Sequence, residues 1–276
     1  MSQRKQDAYY ALGDSDHERR RLQLQAQLYE PYTRRLFQEA GILSGMKVLD
    51  IGCGMGDVTL LLAEMVGPNG TVIGIDNNPA ILDAAKMRAV NAGYANVSFV
   101  SGDFRSSDLD TDFDAAVGRF ILIYIGDTVS FIQRAVQHVK TGGVVAFQEI
   151  DFKGTGVSVP QSPLQQWLLG LYLDAFERAR IELYMGYKLR PTFIAAGLPT
   201  PKLQFDALIG GGPDWLGYEL IAESTRSLLP FMIKSGVTTA EEMDIDTLEA
   251  RFRNEVVSMN AVATVSTCIG AWATKP

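Results

Sequence analysis

The stretch Val48-Leu49-Asp50-Ile51-Gly52-Cys53-Gly54-Met55-Gly56 decides the reading of this 276-residue chain. Lys47 to Ile51 has the apolar density of a buried strand. Alternate glycines follow, and Asp57 to Val66 then puts Val58, Leu61, Leu62 and Met65 on one helical face. A strand that turns through glycines directly into a helix opens a βαβ unit, and the downstream chain repeats the pattern.

Gly67-Pro68-Asn69-Gly70 turns into a strand over Thr71 to Asp76. Asn78 caps a helix that carries Pro79 at its first position and ends near Gly93. Val97 to Val100, Phe113 to Val117 and Gly143 to Ile150 supply three more strands. Before the last of these, a helix over Asp127 to Val139 buries Phe131, Ile132, Ala135, Val136 and Val139. Strands joined by crossover helices predict an α/β fold, with a doubly wound parallel sheet covered on both faces.

Upstream, residues 15–40 read as helix. Ser15 and Glu18 form a capping box, Pro31 breaks or re-initiates the helix, and Gly41 stops it. Beyond residue 160, Ser162 caps a helix with Leu164, Trp167, Leu168, Leu171, Tyr172, Ala175 and Phe176 on one stripe. A shorter helix over Leu189 to Ala196, a strand over Lys202 to Ile209, two helices between Asp214 and Met259, and a strand over Thr264 to Ala273 complete the chain. This organisation predicts an N-terminal helical lid over 1–40, a core over 41–160, and cap helices with the last two strands over 161–276.

Composition excludes several classes. At 47% hydrophobic the chain can bury a sizeable core, and its net charge of −7 offers no favourable field for nucleic acid. The basic run Arg19-Arg20-Arg21 reads as a solvated helix face. Two cysteines, Cys53 and Cys268, give neither a disulfide framework nor a structural zinc site. The polar start lacks an apolar signal core, and the longest apolar stretch, Val117 to Ile125, is too short to span a bilayer, so a cytoplasmic location without stable membrane insertion is expected. Homo-oligomerisation stays open.

The glycine loop admits two ligands. A dinucleotide wants Gly-x-Gly-x-x-Gly, because pyrophosphate approaches a bare helix N-terminus. Here the spacing is Gly52-x-Gly54-x-Gly56 and Asp50 precedes it. That carboxylate repels pyrophosphate and suits a ligand carrying an ammonium and a sulfonium, while the glycines allow close backbone approach. Twenty residues after Gly56, Asp76 ends the second strand, where a carboxylate accepts from ribose hydroxyls. After the third strand, Asp103 with Phe104 can accept from an exocyclic amine and cover an adenine face. Three acidic positions at three successive strand ends share one crevice.

On these residues Val48 to Asp151 resembles the class I S-adenosylmethionine-dependent methyltransferases, in the branch typified by the ubiquinone/menaquinone-biosynthesis C-methyltransferases. Phe113-Asp114 before the fourth strand and Lys140-Thr141-Gly142-Gly143 before the fifth also match. The resemblance implies a Rossmann-like seven-stranded sheet whose last strand, Thr264 to Ala273, inserts antiparallel beside the fifth. It implies S-adenosylmethionine as cofactor. Asp50, Gly52, Cys53, Gly54 and Gly56 would hold the methionine moiety, Asp76 and Asn77 the ribose, and Asp103 with Phe104 the adenine. Arg119 would stand near the methionine end or the acceptor. Cys53 otherwise reads as a small buried filler, and Arg119 otherwise as half of a structural ion pair.

The acceptor is read mainly by elimination. Gly118-Arg119-Phe120-Ile121 is neither the Asn/Asp-Pro-Pro-Tyr loop of amine methyltransferases nor the Pro-Cys nucleophile of cytosine enzymes. Gly118 stands where catechol-type enzymes, by resemblance, carry a metal-binding aspartate, so no metal is expected. His138 reads as a surface residue at a helix C-terminus. Glu149, Asp151 and His17 are the candidate bases, in that order. Tyr184, Tyr187 and Trp215, near breaks in the cap pattern, are the candidate acceptor-pocket residues, and Tyr9, Tyr29 and Tyr32 could close from the lid. The expected function is methyl transfer to a small, largely apolar metabolite at carbon, oxygen or nitrogen. The alternatives are a non-methylating S-adenosylmethionine-binding protein of the same fold and an NAD(P)-dependent oxidoreductase.

Overall fold

The computed structural model describes residues 16–276. Ser15 of the expected capping box, and Tyr9, lie outside them. Five strands, Lys47–Ile51 (β1), Thr71–Asp76 (β2), Val97–Ser101 (β3), Phe113–Arg119 (β4) and Val139–Asp151 (β5), pair in parallel in the order β3-β2-β1-β4-β5. Three more follow: Ser158–Val159 (β6), Lys202–Gly210 (β7) and Val262–Thr274 (β8). β8 runs antiparallel to β5, with Ala146 opposite Trp272, and β7 pairs antiparallel along its other edge.

The late insertion of an antiparallel strand beside the fifth is as expected from the resemblance. The added feature is β6, whose two residues pair with Val262 and Ala263 after β5 has left β8. No run of alternating apolar residues announces so short a strand, so the sheet has eight strands among the described residues where seven are expected.

Adjacent strand residues go to opposite apolar clusters, which is how a parallel sheet buries both faces. Val48, Ala115, Val117 and Ala146 join helices Asp16–Glu39 (α1) and Asp57–Val66 (α2) through Leu36, Phe37, Leu62 and Val66. Leu49, Ala116 and Phe147 face helices Thr128–His138 (α4) and Met185–Ala195 (α6) through Phe131, Ile132, Leu189 and Phe193. Pro79–Asn91 (α3) starts at Asn78, whose side chain accepts from Ala80 N–H at 3.1 Å. The remaining helices are Pro163–Arg178 (α5), Gly217–Lys234 (α7), the single turn Ala240–Met243 (α8) and Ile245–Ser258 (α9). None of the described helices is long and apolar enough to cross a membrane.

Some expectations need correcting. α1 is continuous through Pro31. Pro31 and Gln27 lie on its exposed face, so the carbonyl that loses its donor can turn to water, and the missing bond is tolerated. Gly41, at φ 84°, does end the helix. Arg21 is not solvated: it is buried, and its guanidinium grips the buried Glu18 carboxylate through two bonds of 2.7 Å. His138 is also buried. It closes α4 with Nδ1 2.7 Å from the Asp110 carbonyl and its ring beside Phe104. Trp167, placed on the buried stripe, is 37% exposed, because α5 turns that edge outward.

Candidate functional site

A cavity of about 530 Å³ opens at the carboxyl ends of β1, β2 and β3, the crevice where ligands bind in open α/β sheets. One lobe is built from the loops after those strands. α1, α5 and α7, with Phe252, Val265 and Ser266, wall the other.

The glycine loop is fixed by backbone geometry. Gly52 N–H and Cys53 N–H both donate to the Ile75 carbonyl, at 2.8 and 3.0 Å. Gly52 has φ 71°, and a Cβ there would sit 2.8 Å from Ile121 Cδ1. Gly54 N–H donates to Asp76 Oδ2 at 2.9 Å, and Asn78 N–H donates to Oδ1 at 2.9 Å. The Asp76 carboxylate is thereby oriented from both sides, with its remaining lone pairs available at the cavity wall. Arg88, from α3, clamps the loop from behind, donating to the Met55 carbonyl and to Asp57, each at 2.6 Å.

Asp50 is buried beneath the loop and accepts from Thr59 Oγ1 at 2.6 Å. Burial pushes its carboxyl up to about 7 against the lowering pull of Thr59 and Arg119. A cation placed beside it would restore the ionised form. Cys53 is a buried cavity-wall residue, and burial raises its thiol so far that it stays protonated. Asp103 pairs with Arg105, Oδ2 to Nη2 at 2.7 Å, which holds its carboxyl below the usual range. Phe104 is fixed from behind by Phe131 at 5.1 Å and by the Arg134 guanidinium at 5.6 Å.

Arg119 reaches the cavity from the end of β4. Among the described residues its one hydrogen bond is to Thr33 Oγ1, at 3.2 Å, and no carboxylate pairs with it. Burial lowers its affinity for the proton, while Asp57 and Asp50 act in the opposite sense. The structural ion pair that was the alternative reading of Arg119 is therefore absent from the described contacts.

The expected cofactor residues Asp50, Gly52, Cys53, Gly54, Asp76, Asn77, Asp103, Phe104 and Arg119 all line the cavity. Gly56 does not: at φ 81° it caps α2, and a Cβ there would meet Ala85 and Phe99 at 3.3 Å.

The candidate bases and acceptor-pocket residues lie elsewhere. His17 is on the outer face of α1, with Nδ1 3.2 Å from Glu223. Glu149 lies behind the cavity wall. Its Oε1 accepts from Ile121 and Leu122 N–H at 3.1 and 2.9 Å, holding the turn Leu122–Tyr124, and burial pushes its carboxyl up to about 8. Asp151 is buried too, accepting from Lys153 N–H at 2.9 Å and Tyr187 N–H at 3.2 Å. Tyr184 and Tyr187 are 43% and 56% exposed at the start of α6, outside the cavity. Trp215 packs edge-on against Tyr218 at 5.1 Å and covers Gly210 and Gly217, so it stabilises a corner of the fold and is not among the residues that line the cavity. Breaks in a helical pattern mark turns, and turns face solvent.

The residues that do shape the second lobe are Arg21, Tyr29, Tyr124, Gln165, Tyr172 and Ser266. Tyr29 hydrogen-bonds Ser266 Oγ, and Tyr172 hydrogen-bonds Thr225 Oγ1 at 2.9 Å. Burial raises all three tyrosines, keeping them neutral hydroxyls. Gln165 had a local signal: it interrupts the apolar stripe of α5 three residues after the cap.

A profile of the family described as "Methyltransferase domain" matches residues 42–179. Aklanonic acid methyltransferase DauC of Streptomyces sp. strain C5 is 32% identical over 131 residues, which are 47% of this chain and 60% of that protein. Demethylmenaquinone methyltransferase of Staphylococcus aureus is 30% identical over 145 residues, 52% of this chain and 56% of that protein. The chain thus spans little more than half the length of these curated relatives. Phosphoethanolamine N-methyltransferase 2 of Haemonchus contortus, solved with phosphomonomethylethanolamine and S-adenosylhomocysteine, shares the fold at TM-score 0.56 and 17% identity, covering 88% of this chain and 52% of that one.

Proposed function

This chain belongs to the methyltransferase-domain family, and on that premise we propose that it binds S-adenosylmethionine and transfers the methyl group to a small, largely apolar acceptor. One observation carries the reading. The strand-end carboxylates Asp50, Asp76 and Asp103, with Arg119, which no carboxylate among the described residues pairs, line one cavity with a second lobe dominated by Leu168, Leu169, Phe176, Leu220, Ile221 and Phe252. That charge pattern suits a ligand with an ammonium, a carboxylate, a ribose and an adenine, beside an apolar guest.

Asp76, pre-oriented by Gly54 and Asn78, accepts from the ribose hydroxyls, and Asp103 with Phe104 receives the adenine. Arg119 meets the α-carboxylate, and Asp50 with the glycine backbone faces the ammonium. The bound cofactor supplies an electrophilic methyl on a sulfonium. The protein's share is to align an acceptor with it and exclude water, using α1, α5 and α7 as walls. Glu149, Asp151 and His17 stand off the cavity, and the lining tyrosines are neutral. Positioning, more than proton abstraction, is therefore the catalysis these residues support.

Incubation with radiolabelled S-adenosylmethionine and a metabolite extract tests the proposal. A labelled product is expected, and tight cofactor binding with no transfer to any component would overturn it.

A further inference from the structure

Arg119 stands in the wall between two cavities. It lines the one that holds the strand-end carboxylates, and also a smaller one of about 180 Å³ beside Glu30, Asp57, Glu64 and Arg88. Among the described residues its Nε and Nη2 take no hydrogen bond, yet neither is sealed from open space. Carboxylates attract the guanidinium from both sides. Glu30 and Glu64 line the smaller cavity, Asp50 the larger, and Asp57 both. Arg34 pairs with Glu30 and Glu64, and Arg88 with Asp57, which weakens those attractions without cancelling them. The Phe120 ring, 5.7 Å from Arg119 Cζ, supports the guanidinium but an aromatic face gives it no hydrogen-bond direction. Direction comes from Thr33, whose Oγ1 accepts from Arg119 Nη1 at 3.2 Å.

Thr33 is itself held. It is buried on α1, and its one hydroxyl proton has two acceptors in reach, Gln148 Oε1 at 2.7 Å and the Tyr29 carbonyl at 3.1 Å. Either bond leaves a lone pair for Arg119. Gln148 is buried on β5, and its Nε2 donates to Cys268 Sγ on β8 at 3.6 Å. A buried polar chain from β8 through β5 and α1 thus ends on the guanidinium.

We propose that Thr33 is a positioning residue for cofactor recognition: by holding Arg119 where it lines the larger cavity, it makes the site select adenosyl thioethers that carry an α-carboxylate over those that lack one. A charged donor already in place binds a carboxylate more tightly than one that must first be recruited from other attractions. Without the Thr33 hydroxyl the guanidinium divides its time between the two cavities, and only ligands that need it suffer. This role rests on Arg119 meeting the cofactor's α-carboxylate, and it adds the group on α1 that keeps Arg119 ready.

Calorimetry with the intact chain compares S-adenosylhomocysteine with its decarboxylated analogue, which keeps the adenosine, the thioether and the ammonium. Wild type should prefer S-adenosylhomocysteine about 30-fold. Thr33→Val keeps the shape of the side chain and should cut that preference about fivefold, by weakening S-adenosylhomocysteine while the analogue binds as before. Thr33→Ser keeps the hydroxyl and should retain the wild-type preference. Thr33→Ala should behave as Thr33→Val, so either folded variant decides. A preference that survives in Thr33→Val or Thr33→Ala would overturn the proposal, and so would an equal loss for both ligands, which is what a merely structural Thr33 would produce. Equal affinity of wild type for the two ligands would overturn it as well, while leaving the cofactor reading intact. Failure of wild type to bind S-adenosylhomocysteine at all would overturn the cofactor reading, and the role of Thr33 with it.

Discussion

Gly54 N–H donates to Asp76 Oδ2 across 2.9 Å, a side-chain tie that reinforces the two bonds from Gly52 and Cys53 N–H to the Ile75 carbonyl in joining the glycine loop after β1 to the end of β2. The carboxylate that would receive the ribose is thus also a structural tie for the loop beneath the rest of the ligand. Asp76→Ala removes both roles. Its affinity for S-adenosylhomocysteine should fall about 100-fold by calorimetry, whereas Asp76→Asn keeps one acceptor oxygen and should lose about tenfold. Equal losses would mean that the loop tie is irrelevant; no loss in either would remove Asp76 from the cofactor site.

Gly52→Ala tests backbone conformation. At φ 71° any side chain is strained, and the new Cβ would press on Ile121, 2.8 Å away, which itself lines the cavity. The expected cost is about 1–3 kcal/mol, lowering Tm by roughly 3–10 °C, with cofactor affinity reduced as well. Gly54→Ala meets open space and should cost less stability. A Gly52→Ala variant with wild-type melting and binding would refute the close-approach reading.

Arg119→Met should separate stability from binding. Removing a guanidinium that has Thr33 as its only hydrogen-bond partner among the described residues relieves the cost of burying it, so the ligand-free melting temperature should hold or rise. S-adenosylhomocysteine affinity should nonetheless drop more than tenfold, for want of a carboxylate partner. A fall in stability with unchanged affinity would return Arg119 to a purely structural role.

Glu149 predicts a pH dependence. Its carboxyl, raised by burial to about 8 from an ordinary 4.5, is protonated in the folded chain at neutral pH and ionised in the unfolded one. The unfolded state therefore binds fewer protons between those values, and stability declines as pH rises from about 4.5 to about 8. Glu149→Gln keeps an oxygen for Ile121 and Leu122 N–H but cannot ionise. Urea unfolding should show the variant gaining on wild type from pH 5 to pH 8, with the gap level above that. A gap independent of pH would show that Glu149 does not titrate in this window.

Which half of the cavity could be read from the chain follows from how each half is made. The first lobe comes from residues within a turn of the strand that presents them: Asp50 is next to last in β1, Asp76 ends β2, and Asp103-Phe104 follows β3. Local spacing therefore carries the spatial information. The second lobe takes Arg21 from α1, Tyr124 from the turn after β4, Gln165 and Tyr172 from α5, and Ser266 from β8. Their convergence depends on how distant helices cross the sheet, which no periodicity encodes. Tyr184, Tyr187 and Trp215 show the resulting error: aromatic side chains near pattern breaks turned out to be turn and corner residues. Arg21 shows the converse, since a basic triplet looks solvated until Glu18 is seen gripping it.

The position of β8 has a consequence in time. It follows every other described strand, yet it lies between β5 and β7 and supplies Val265 and Ser266 to the second lobe. The nucleotide-side half can assemble as β1 to β5 leave the ribosome, from contacts among neighbouring segments. The guest-side half cannot close until β8 has emerged and been received between two strands made earlier, the slow kind of long-range pairing. The cavity is therefore complete only once the last described strand has made that long-range pairing.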